Sequence, residues 1–204
     1  MAEQIPPIII TYFSDFPNGV IDFEVYNISD KKLRILAKEQ QNGPYWIADW
    51  MHPTSFSLYV LKTYFDIFPS EKKKDHFQKL KESCFRLLDE AKGIKSNKAL
   101  STLPYRLSPH YAQSLGASII IEIKTGCRIK LLFDKTLDLE DWNDALEEFF
   151  GYISEHYDNF PEDKLSKIIS ELEPKPGKEI YAVINPETKI IGFFDGKALQ
   201  ACES

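Results

Sequence analysis

Hydrophobic and polar positions change their period several times along the chain. Pro7 to Phe13 is an apolar, β-branched stretch. Val20 to Ile28 alternates, with Ile21, Phe23 and Val25 on one side and Asp22 and Glu24 on the other, the period of a half-buried strand. The Ser14-Asp15-Phe16-Pro17-Asn18-Gly19 segment between them is turn chemistry. Further strands are expected at Leu33 to Lys38 and, after Asn42-Gly43-Pro44, at Tyr45 to Trp50. These four read as an antiparallel meander. The spacing then lengthens. Phe56, Tyr59, Val60, Tyr64 and Ile67 lie three and four apart, which predicts a helix starting at Thr54 or Ser55 and ending at Pro69. Ser70 opens a second helix with Phe77, Leu80, Cys84, Leu87, Leu88 and Ala91 inward, and Gly93 stops it.

Residues 94–114, broken by Pro104, Pro109 and several serines, read as an irregular linker or surface loop. A hairpin follows, and its register is set by side-chain direction. A two-residue turn at Thr125-Gly126 opposes Ile123 to Arg128 and Ile121 to Lys130. A three-residue loop, Lys124-Thr125-Gly126, instead opposes Ile121 to Ile129 and Glu122 to Arg128, which satisfies both faces. It also puts Gly126 where such loops take a left-handed residue. Helices are expected from Leu139 to Tyr157, capped by Asp138, and from Pro161 to Leu172 with Leu165, Ile168, Ile169 and Leu172 inward. A last hairpin pairs Ile180 to Ile184 with Ile190 to Phe194, placing Ile184 opposite Ile190.

Strands in adjacent pairs, with helices two at a time, predict an α+β fold: an antiparallel sheet built from hairpins and a meander, packed against about four helices. Residues 1–204 read as one domain, with 1–93 and 115–196 as candidate subdomains joined by 94–114.

Composition narrows the function classes. The chain has 204 residues, 43% hydrophobic and 27% charged, ordinary values for a folded globular protein. No apolar run approaches the ~20 residues that span a bilayer, so no membrane association is expected. A net charge of −6 and scarce arginine make nucleic acid an unlikely partner, since phosphate contacts need basic surface. The N-terminal residues carry no secretory signature. Cys84, Cys127 and Cys202 match neither a disulfide framework nor zinc spacing, which suits reduced thiols in the cytoplasm.

The most unusual segment is the helix after Asp138. Thr136 to Asp163 contains no Lys or Arg. At 100° per residue, Leu139, Trp142, Leu146, Phe149, Phe150, Ile153 and Tyr157 fall in one arc. Glu140, Asp144, Glu147, Glu148 and Glu155 fall in the opposite one, so the helix has a wet, acidic face. Like charges four residues apart repel, and tolerating that repulsion suggests a docking face for a protein with a basic surface. His156 sits at the edge of the apolar arc, a structural position. A second candidate patch is the aromatic segment Tyr45 to His52, with Trp46 and Trp50 on one strand face.

The string Ile119-Ile120-Ile121-Glu122-Ile123-Lys124 resembles the strand that carries the Glu-x-Lys pair in restriction-endonuclease-like nucleases. That resemblance implies a small metal-dependent nuclease or hydrolase, with Glu122 on a divalent metal and Lys124 activating water or steadying developing charge. Such enzymes also need an upstream acid, and no Asp or Glu lies between Glu90 and Glu122. No phosphate loop, nucleophile elbow or histidine cluster is present. The leading expectation is therefore a cytoplasmic, non-enzymatic binding or regulatory protein of the inhibitor, immunity or adaptor type, without metal or cofactor. The nuclease is the alternative.

Overall fold

A computed structural model describes residues 7–13, 35–40, 56–67, 70–92, 113–174 and 179–195. Its strands are β1 (Ile8–Phe13), β2 (Ile35–Gln40), β3 (Phe56–Val60), β4 (Gln113–Glu122), β5 (Arg128–Asp134), β6 (Glu179–Ile184) and β7 (Ile191–Asp195). Its helices are α1 (Lys62–Ile67), α2 (Ser70–Lys92), α3 (Leu139–Asn159) and α4 (Lys164–Leu172). The strands form one seven-stranded sheet in the order β2-β1-β3-β4-β5-β6-β7. The expected strand at Val20 to Ile28, the one at Tyr45 to Trp50 and nearly all of 94–114 lie outside the described residues.

The α+β class holds, but the purely antiparallel hairpin and meander sheet is overturned: the sheet is mixed. β1–β2, β3–β4 and β5–β6 pair parallel. β1–β3, β4–β5 and β6–β7 pair antiparallel. Parallel neighbours need a crossover rather than a turn. Here α1 and α2 carry the chain from β3 to β4, and α3 and α4 carry it from β5 to β6. Adjacent strand pairs looked self-contained in the sequence, yet the second strand of one pair also opens the next crossover. At the other edge β1 lies between β2 and β3, so β1 and β2 run side by side in one direction.

Two local expectations are also corrected. The helix expected from Thr54 or Ser55 to Pro69 is β3 followed by the short α1. Phe56, Leu58 and Val60 alternate into the core. Tyr59, whose spacing suggested a helix, belongs to the opposite strand face. The C-terminal hairpin is shifted by one residue, pairing Ile184 with Ile191 and Tyr181 with Phe194. Lys189 takes a left-handed conformation with φ of 60° and turns the chain so that Ile190 is left 60% exposed. Ile184 and Ile191 are then buried on the same side.

The central hairpin has the expected register, with Ile121 opposite Ile129 and Glu122 opposite Arg128. Gly126 has φ of 80°, and its amide donates to the Ile123 carbonyl at 2.8 Å. The helices pack on one face of the sheet. Leu80, Cys84 and Leu88 of α2 and Trp142, Leu146, Phe149 and Ile153 of α3 join Ile8, Leu58, Ile119, Ile121, Leu131 and Ile180 in one core. The opposite sheet face is buried too, around Ile120, Lys130, Leu132 and Tyr181. No helix among the described residues is long and apolar enough to cross a membrane.

Candidate functional site

α3 begins where the sequence places it. The Asp138 carboxylate accepts from the Asp141 amide at 2.9 Å, satisfying an amide that the first helical turn leaves over. The Trp142 indole N–H donates to the Asp134 carbonyl at 2.8 Å and pins that turn to the end of β5. With one arc held in the core, the carboxylates must face outward. Glu140, Asp144 and Glu147 are exposed, and Glu148 and Glu155 are half-buried. An ion pair bounds the acidic strip on each side. Lys81 of α2 meets Glu147 at 2.8 Å, and Lys189 of the β6–β7 loop meets Asp141 at 2.7 Å. Between these borders Glu140, Asp144, Glu148 and Glu155 form no ion pair among the described residues. Burial raises the Tyr152 hydroxyl pKa, and the Glu148 and Glu155 carboxylates raise it further.

The strip borders a groove of about 330 Å³ between α1, α2 and α3. Tyr64, Phe65, Phe77, Phe150 and Tyr157 supply its apolar surface, and Gln78, Lys81, Glu147, Ser154 and Asp158 its polar lining. Phe65 stacks on Tyr157 with ring centroids 3.8 Å apart, and Phe77 meets Phe150 edge-on at 5.1 Å. The sequence reading missed this groove because its walls come from elements far apart in the chain. One signal was present: Gly151 interrupts the wet face of α3 and lines the groove.

Glu122 and Lys124 are drawn into a network at one end of the sheet. The Glu122 carboxylate accepts from the Lys62 amide at 3.0 Å and so caps α1. Its carbonyl accepts from the Tyr157 hydroxyl at 2.7 Å. The Lys124 amide donates to His156 Nε2 at 3.3 Å. The Lys124 ammonium stands 5.8 Å from the Tyr157 ring centre and 5.7 Å from that of Phe160, close enough for cation–π attraction. Among the described residues no group of three His, Cys, Asp or Glu side chains is placed to hold a metal ion.

His156 has the structural position expected of it, and its main partner was not foreseen. Its ring is fully buried, with Nδ1 3.0 Å from Asp163 Oδ1. Because Nε2 accepts from a backbone amide, the ring proton belongs on Nδ1, where it donates to Asp163. The Ser166 hydroxyl donates to Asp163 Oδ2 at 2.6 Å, and its oxygen is 3.2 Å from the same Nδ1. Serine, histidine and aspartate thus meet, but not as a nucleophile relay. Serine and aspartate share one ring nitrogen while the amide takes the other, so no imidazole nitrogen is left to take the hydroxyl proton. Asp163 also caps α4 through the Ser166 amide at 2.9 Å, which starts that helix at Lys164 instead of Pro161. An Asp three residues ahead of a Ser was the signal for this cap.

Trp46 and Trp50, the second candidate patch, lie outside the described residues. On the second sheet face, Lys130 is buried in the row that also holds Tyr59, Ile120, Tyr181 and Phe194. Burial lowers its pKa to about 8, against an opposing pull from Glu179. Compared with known proteins, the chain matches no family model, no curated sequence and no solved structure.

Proposed function

We propose that this protein is a cytoplasmic, non-enzymatic binding or regulatory protein of the inhibitor, immunity or adaptor type, docking a partner with a basic surface on the acidic face of α3. One observation carries the reading: the fold holds α3 so that Glu140, Asp144, Glu148 and Glu155 stay together at the surface without ion-pair partners among the described residues. Carboxylates one turn apart destabilise a helix by a few tenths of a kcal/mol per pair. A field of one sign raises the rate at which an oppositely charged protein arrives.

Affinity purification from native lysate supplies the partner, and stopped-flow association then tests the face. Reversing Asp144, Glu148 and Glu155 to lysine should slow association by about tenfold or more at low salt. The slope against ionic strength should flatten, with thermal stability unchanged or raised. Association indifferent to both the reversal and salt would reduce the strip to a solubilising surface.

A further inference from the structure

We propose that the groove between α1, α2 and α3 receives an aromatic or long aliphatic side chain from a partner segment whose flanking residues are Lys or Arg. The proposal rests on the docking reading above and names the part of the partner that confers affinity.

The groove offers a ligand mainly ring surface. The Tyr64 hydroxyl donates to the His76 carbonyl at 2.9 Å and that of Tyr157 to the Glu122 carbonyl at 2.7 Å, so both are already engaged. About 330 Å³ lies at the low end of ligand pockets and admits one large side chain.

Gly151 points the same way. It sits inside the 21-residue α3, where glycine costs about 1 kcal/mol relative to alanine. Among the described residues a Cβ built there meets nothing within 4 Å, so packing against them does not demand the glycine. Its missing side chain keeps one wall of the groove open.

Charge selects the occupant. Glu147 and Asp158 line the groove, and Asp66 lies near enough to act on Tyr157. Lys81 is the one cation among the described lining residues, and it is tied to Glu147. Beyond the groove the acidic residues continue along α3 from Glu140 to Asp158, roughly 27 Å at helical rise. That exceeds a small organic cation and matches a polypeptide segment with several basic residues around one apolar anchor.

The test uses two synthetic peptides, lysine-rich and identical except for a central tryptophan or serine, titrated calorimetrically into the intact protein. Wild type should bind the tryptophan peptide about tenfold or more tighter, as burial of an indole implies. Gly151→Leu fills the groove from α3, and Gln78→Trp fills it from α2. Each should erase the tryptophan advantage while keeping the affinity for the serine peptide, and Gly151→Leu should also raise the melting temperature. Reversal of Asp144, Glu148 and Glu155 to lysine should weaken both peptides together. Equal binding of the two peptides by wild type, or a tryptophan advantage that survives in both filled variants, overturns the groove proposal and leaves the docking face standing. Failure of both peptides to bind, or binding indifferent to the charge reversal, overturns the docking face itself.

Discussion

Two buried ionisable side chains, Asp163 and Lys130, carry opposite pH signatures. Burial alone would raise the Asp163 carboxyl pKa, but hydrogen bonds from the Ser166 hydroxyl and amide and from His156 outweigh it and hold it below 3.8. A carboxyl depressed in the folded state contributes stability above its unfolded pKa and loses it as pH falls through the folded value. Asp163→Asn should therefore cost about 1–3 kcal/mol at neutral pH, and the deficit should shrink as pH drops below about 4. Thermal unfolding followed by circular dichroism from neutral pH to strong acid checks both. Lys130 is the mirror case. Its folded pKa of about 8 lies below 10.5, so the unfolded chain binds the proton more tightly and stability rises with pH between those values. Lys130→Met should remove that rise, on the order of 3 kcal/mol for a shift of this size. Melting curves of the two proteins from pH 7 to 10 should converge. The structural role of His156 was legible from its edge position on one helix. The buried lysine was not, because strand alternation gives the face a residue occupies but not whether that face is covered.

At the scale of elements, long periodic segments declared themselves and short ones did not. α3 repeats its apolar arc over many turns, and the β4–β5 hairpin has only one loop length that satisfies both faces, so each was fixed by its own residues. β3 is five residues long and buried on both faces, and a doubly buried strand shows apolar residues at helical as well as alternating spacings. The start of α1 shows how one element completes another. Glu122 and Arg128 are paired in register, which by itself predicts a surface contact worth at most about 1 kcal/mol. The carboxylate instead accepts from the Lys62 amide. Glu122→Ala should then cost about 1–2 kcal/mol, the value of a helix cap, and Glu122→Gln should recover most of it, as chemical denaturation of the three proteins would show. Equal stability of all three would mean the cap contributes nothing.

For the whole molecule, what stayed hidden was how distant segments meet. Parallel pairing leaves no mark in a single segment, since β3 and β4 are joined through two helices and residues 93–112. The groove has the same character: Tyr64, Phe77 and Tyr157 belong to three helices whose proximity only the assembled sheet creates. The acidic strip was visible beforehand because it needs one helix and no neighbour.

The network around His156 joins ends that the chain keeps far apart. The amides of Lys62, Lys124 and Ser166 each lie at the end of an element, and each is held by a side chain: Glu122, His156 and Asp163. Amides at element ends ordinarily exchange with solvent deuterium fast, through local fraying. His156 and Asp163 are buried, and Tyr157 ties the half-buried Glu122 to the same helix as His156, so none of the three should open without disturbing the others. Hydrogen exchange followed by NMR should find them protected to a similar degree, closer to the core of β4 than to the exposed β6–β7 loop. In Asp163→Asn the Lys124 and Ser166 amides should lose that protection together. The sheet would then have one end that unlatches as a unit, rather than several independent frayed tips.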